Sequence, residues 1–91
     1  MTIEVSVPSM LKDCTGGQSL FHIEAETLAE AVRSLFDVYP LLRLHVFDET
    51  GEQRPHVLLY YNEENIKWLE TLDIPLESGD RLTLLQAVSG G

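Results

Sequence analysis

Two glycines, Gly90 and Gly91, close the chain directly behind the largely apolar segment Leu82 to Val88. From a usage of about 7% each, two glycines at a random terminus would occur in roughly 0.5% of chains, an improbable but not negligible coincidence. A terminal residue without a Cβ is sterically open, so a narrow enzyme channel can accept it and reach the α-carboxylate. That carboxyl group titrates at about 3.3 to 3.7 and is an anion at neutral pH, which resists nucleophilic attack. Adenylation by ATP would convert it into a mixed anhydride with a good leaving group, and a sulfur or amine nucleophile could then take the acyl carbon. Gly16-Gly17 lacks the following lysine that a phosphate-cradling loop requires and reads as a turn. The ATP chemistry therefore has to come from a separate enzyme, with no cofactor bound by the chain itself.

Other residues offer weaker chemistry. Cys14 is the single cysteine, with neither a helix start nor an adjacent base in view, so a structural role is expected. His22, His45 and His56 are far apart without metal-ligand spacing, no catalytic triad can be assigned, and no metal site or catalytic residue is expected. Trp68 and the three tyrosines read as core or rim packing, and Arg54-Pro55-His56 reads as a loop.

Composition narrows the function classes. Ninety-one residues make one domain. Fifteen Asp and Glu against six Lys and Arg, a net charge of −9, argue against nucleic-acid binding and point to electropositive partner surfaces. No apolar run reaches the length of a membrane span, and Met1 to Pro8 alternates instead of showing a basic segment followed by an apolar one. A cytoplasmic protein, monomeric when free, is the expectation, and one cysteine fits a reducing compartment.

The elements that must position the terminus follow from periodicity. Ile3, Val5 and Val7 alternate with polar residues as in a half-buried strand ended by Pro8, and Ser19 to Glu24 predicts a second strand with Phe21 and Ile23 inward and His22 and Glu24 outward. Thr27 and Glu30 make a capping box for a helix over 28–38, with Leu28, Ala31, Val32, Leu35 and Phe36 at helical spacing. Pro40 follows, and Leu41 to Val46 reads as a short helical turn or an irregular packed segment. Val57 to Tyr61 predicts a central strand covered on both faces. Asn62 to Asn65 predicts a turn, Ile66 to Leu69 either an edge strand or a helical turn, Leu76 to Asp80 a second turn, and Arg81 to Gln86 the last strand. The order suggests an α+β fold: a mixed four- to five-stranded sheet with one main helix packed across one face, as in the ubiquitin-like β-grasp. Residues 1–86 form this domain and 87–91 a flexible tail. Five unpaired residues at about 3.3 to 3.6 Å each would reach roughly 17 Å into a partner.

Several stretches together resemble a known family: Pro8-Ser9-Met10-Leu11 with Thr15-Gly16-Gly17-Gln18, Tyr61-Asn62-Glu63-Glu64, Ser78-Gly79-Asp80, and the ending Leu85-Gln86-Ala87-Val88-Ser89-Gly90-Gly91. They look like the ubiquitin-like sulfur carriers of the MoaD and ThiS group, most like its CysO-type branch. The resemblance implies that a MoeB-like adenylating enzyme activates Gly91 and that sulfur transfer yields a thiocarboxylate there. It further implies a sulfur-accepting synthase, cysteine-synthase-like or thiazole-synthase-like, as second partner. Some members carry residues beyond the diglycine; this chain has none and is expected to be competent as synthesised. Ser89 stands where a small apolar residue is common, and Gln86 where proline is expected.

Gly91 is thus the candidate covalent site and Gly90 its clearance. Leu58, Tyr60, Thr83 and Leu85, of outward parity in the late strands, are candidates for an apolar docking patch continued by Ala87 and Val88. The competing reading covers Leu58 and Tyr60 with the 41–46 segment. Glu63, Glu64 and Asp80 either steer encounter or are solvated charge. Two further function classes stay open: a protein modifier forming isopeptides through Gly91, and a non-covalent interaction module.

Overall fold

The alternation of Ile3 and Val5 with polar neighbours builds strand β1 (Thr2–Ser6), whose buried side chains face the core. It pairs antiparallel with β2 (Leu20–Glu24). The computed structural model describes residues 1–54 and 57–86. After Pro8 the chain forms a 3-10 helix, Ser9–Thr15, which no periodicity in the sequence announces. Its end is set by Gly16 in the left-handed region at φ 67°, with the Gly17 amide donating to the Lys12 carbonyl at 2.7 Å. Thr15, fully buried, donates its hydroxyl to the Gln18 carbonyl at 2.5 Å, which makes the turn rigid without an apolar side chain.

Helix α1 spans Leu28–Val38, as its spacing predicts. Thr27 Oγ1 accepts the Glu30 amide at 3.2 Å, the forward half of the capping box. Two further orphan donors of the first turn, the Leu28 and Ala29 amides, go to the carbonyls of Ile74 and Leu72 at 2.9 and 2.8 Å. The irregular segment 69–76 is therefore held by the helix start, and Leu76 packs into the core. Tyr39, at φ −125° and ψ 74° outside the helical region that the following proline disfavours, separates α1 from α2 (Pro40–Val46), with Pro40 in its first turn.

Strand β3 (Val57–Tyr61) turns through Asn62, at φ 55°, into the two-residue edge strand β4 (Glu64–Asn65). A single 3-10 turn, Ile66–Trp68, resolves the ambiguous 66–69 stretch as helical. Strand β5 (Arg81–Gln86) inserts between β1, to which it is parallel, and β3, to which it is antiparallel, giving the sheet order β2-β1-β5-β3-β4. Leu28, Ala31, Leu35 and Phe36 of α1 and Leu42 and Val46 of α2 join Ile3, Val5, Phe21, Val57, Leu59, Leu82 and Leu84 in one core.

Three expectations need correction. β3 is not covered on both faces: Val57 and Leu59 are buried, whereas Leu58 and Tyr60 are only half-buried, because α2 packs into the same core as Val57 and Leu59 and not onto the other face. Trp68 is not core but 77% exposed, since the 3-10 turn buries Ile66 instead. Asp80 is not a solvated steering charge. It is buried, and it accepts the Tyr61 hydroxyl at 2.6 Å, the Glu77 amide at 2.8 Å and the Asn62 side-chain amide at 3.2 Å.

This cluster fixes the start of β5. The Asp80 amide returns to the Glu77 carbonyl at 3.1 Å across a turn with Gly79 at φ 94°, the left-handed third position of a type II turn. Asn62 both accepts the Arg81 amide with its side chain, at 3.0 Å, and donates its own amide to the Arg81 carbonyl, at 2.9 Å. Burial raises the Asp80 pKa, but the bonds from Tyr61, the Glu77 amide and Asn62 outweigh it and hold the carboxyl below its ordinary value. Burial, followed by the bond to Asp80 and its charge, pushes the Tyr61 hydroxyl up to about 12.

A folded pKa below the unfolded value near 3.9 means that Asp80 contributes fully above that value and loses its contribution as pH falls through the folded pKa. Tyr61 is opposite: its contribution is complete below about 10 and fades as pH rises through about 12. Asp80→Ala strands the donors of Tyr61, Asn62 and Glu77 and should cost about 2–3 kcal/mol in urea unfolding at neutral pH, with an unchanged slope. Against Asp80→Asn, the advantage of the wild-type chain should shrink as pH drops below about 4; a gap that stays constant across that range would contradict the role given to the carboxylate.

Candidate functional site

The site is built where β5 runs out of the sheet. β1 pairs with β5 only over Glu4–Ser6 against Arg81–Thr83, because Pro8 lacks the amide donor to continue and the chain turns into the 3-10 helix. From Leu84 to Gln86 β5 is held by β3 alone, with Val57 opposite Gln86. Gln86, where the family pattern implies proline, is thus the last residue of the strand and a regular member of its ladder. Ala87, Val88, Gly90 and Gly91, which carry the covalent and tail assignments, lie outside the described residues.

The remaining predicted docking residues come together. Leu58 stands directly opposite Leu85, and Tyr60 opposite Thr83, on the sheet face away from the helices. The second pair continues sideways, since Thr83 is also paired with Ser6, and Ser6 with Leu20. Leu20 and Leu85 are 54% and 44% exposed. Leu20 was absent from the sequence-based patch although its signal was present: with Phe21 and Ile23 inward, Leu20 had to point outward. One rank further from the tail, His22, Glu4 and Arg81 line up across β2, β1 and β5. The open face is therefore graded, charged at the beginning of β5 and apolar at its end. The reading that put the 41–46 segment over Leu58 and Tyr60 does not hold, because Leu42 and Val46 are in the core on the other side.

Catalytic machinery does not assemble among the described residues. No serine, threonine or cysteine there hydrogen-bonds a histidine, and no group of three His, Cys, Asp or Glu could hold a metal ion. Cys14 is half-buried against the core, where its sulfur is a packing atom. Asp48 is held below its ordinary pKa first by the Thr50 hydroxyl, at 2.7 Å, and then by the Glu52 amide, so it shapes a loop and is not poised for proton transfer. No helix among the described residues is long and apolar enough to cross a membrane.

The chain as a whole is similar to proteins of known type. The curated sulfur carrier protein CysO of Mycobacterium tuberculosis is 30% identical over 93 residues, covering 100% of both chains. The crystal structure of the Amycolatopsis orientalis BexX/CysO complex contains a chain that matches at TM-score 0.76 and 26% identity, over 98% of this chain and 99% of that one. SAMP1 of Haloferax volcanii, a small archaeal modifier protein, matches at TM-score 0.74 and 26% identity over 100% of both. The fold is thus the β-grasp of the carriers and modifiers. The ThiS family model aligns with residues 5–91, nearly the whole length, and the chain belongs to the ThiS family.

Proposed function

We propose that this protein is a sulfur carrier: a substrate handed between enzymes, with the carboxyl group of Gly91 as its reactive end. The observation that carries the reading is the end-to-end match with a curated sulfur carrier; the apolar end of the open sheet face, at the last described residues of β5, is where an activating enzyme would grip. A separate MoeB-like enzyme supplies ATP. A Gly91 carboxylate oxygen attacks the α-phosphorus, pyrophosphate leaves, and an acyl adenylate results. Hydrosulfide then attacks the acyl carbon through its sulfur, AMP departs with the electrons of the acyl–oxygen bond, and loss of the S–H proton leaves a thiocarboxylate. Soft and ionised near neutral pH, this group gives up its sulfur to an acceptor synthase of biosynthesis, cysteine-synthase-like or thiazole-synthase-like, without sulfide escaping into solution.

Gly90 would give the partner's channel clearance, and Ala87 and Val88 would extend the docking contact. The family likeness of SAMP1 supports a second reading, in which an amine instead of sulfur takes the activated Gly91 and an isopeptide forms. Lys67, exposed, and Lys12, half-buried, are the chain's own lysines, so self-linkage would be limited.

Intact mass spectrometry after incubation with the activating enzyme, ATP and a sulfide source should show sulfur replacing oxygen at Gly91, located by fragmentation. Gly91→Phe should abolish the change while leaving the circular-dichroism spectrum intact; equal activation of that variant would remove Gly91 from the mechanism. Lysine-linked adducts without a thiocarboxylate would establish the modifier reading instead.

The docking face has its own readout. Leu58→Asp with Leu85→Asp places two charges where about 1.5–3 kcal/mol of apolar burial per leucine is available. The KM of the carrier in ATP–pyrophosphate exchange should rise by at least about tenfold, with kcat little altered. An unchanged KM would separate the sheet face from partner recognition.

A further inference from the structure

On the opposite side of the molecule α1 and α2 frame a cleft of about 250 Å³, lined by Arg33, Phe36, Asp37, Arg43, Phe47 and Gly51. Arg33, Phe36 and Asp37 share one stripe of α1 at the i, i+3, i+4 spacing, and Arg43 and Phe47 face it from α2 and its C-cap. The two phenyl rings meet edge to face, 5.2 Å apart at 76°, and form an apolar floor. Arg33 and Arg43 line the same cleft. Among the described residues neither Arg33 nor Arg43 makes a side-chain hydrogen bond or an ion pair, so their forked donors are uncommitted. Asp37 leaves the cleft with one net positive charge.

This is an anomaly in a chain of net charge −9. Three of its four arginines gather at this end, since Arg54 backs the cleft with its Nε donated to the carbonyls of Leu44 and Phe47 at 3.0 and 3.2 Å. Beside it Val38, Leu41 and Leu44 are exposed by more than half.

We propose that this cleft docks an acidic segment of a partner protein, one that presents a carboxylate side chain flanked by apolar ones. The carboxylate would bridge the Arg33 and Arg43 guanidiniums, and the apolar neighbours would cover Phe47 and the exposed leucines. The volume is below the usual 300–1,000 Å³ of small-ligand pockets and fits one or two side chains. A second copy of this chain is disfavoured as occupant because two bodies of charge −9 repel. Phosphate-rich partners meet the same long-range field with denser charge, whereas a protein can place one acidic segment here and basic surface elsewhere. The cleft and the open sheet face lie on opposite sides of the sheet, so both can be occupied together. The proposal goes beyond sulfur carriage and stands whether or not Gly91 is activated.

The test is a titration of the isotope-labelled protein with a short, end-blocked peptide alternating leucine and glutamate, followed by backbone amide shifts. Saturable shifts confined to 33–37, 43–47 and Gly51 are expected. Arg33→Glu with Arg43→Glu should weaken binding by at least about tenfold, and Arg81→Glu, on the sheet face, should leave it unchanged. The milder Arg33→Gln with Arg43→Gln gives the same comparison should charge reversal disturb the fold, which the amide dispersion reports. Equal binding by these variants, shifts scattered over the surface, or no saturable shift would overturn the proposal. So would full competition by sodium acetate at matched carboxylate concentration, which would make this a small-anion site, or dimerisation in sedimentation.

Discussion

The fold depends on the insertion of β5 between β1 and β3. Without it the molecule is two separate hairpins, β1-β2 and β3-β4, with a helix pair between them in sequence and no continuous sheet for those helices to cover. Leu82 and Leu84 fill the centre of the core from this strand and are almost wholly buried. Their burial requires β5 to start in one register, and the Asp80 cluster sets that register by tying the preceding turn to the β3-β4 hairpin. The same register decides which side chains of β5 face outward. Core and open sheet face are two consequences of one alignment, since a slip of one residue would exchange Leu84 with Leu85.

Much of this was legible in the residues themselves. The α1 boundaries followed from Thr27, the 3.6-residue spacing and Pro40; the parity of Ile3, Val5, Phe21, Leu82 and Leu84 identified the core. The family, visible in the turn motifs and the ending, agreed with the end-to-end alignments. Legibility failed where long-range partners decide. The 69–76 segment has no periodicity of its own because its carbonyls serve orphan amides of α1. Asp80 looks like any surface acid in a Ser-Gly-Asp turn, and only the arrival of Tyr61 from nineteen residues away buries it. An apolar run such as Val57 to Tyr61 cannot say whether one face or two are covered, and Trp68 looks like core by type until Ile66 is seen to take the inward position.

The charge distribution gives the two sides of the molecule different characters. The open sheet face grades from the charged rank of His22, Glu4 and Arg81 to the apolar pair Leu58 and Leu85. The helical side concentrates uncommitted arginines over an aromatic floor. Strong overall acidity then acts as a filter on what approaches, and the two sides differ in local pattern around a single core.

The parallel pairing of β1 with β5 also has a mechanical side. β1 and β5 run in the same direction, so the start of β1 at Thr2 and the end of β5 at Gln86 lie at opposite poles of one adjacent pair. Tension applied between them loads the rungs of Glu4–Ser6 against Arg81–Thr83 in shear, all at once, instead of peeling them one after another. A body drawn by its tail resists with its strongest geometry, whereas the terminal β1-β2 hairpin, pulled sideways, would unzip.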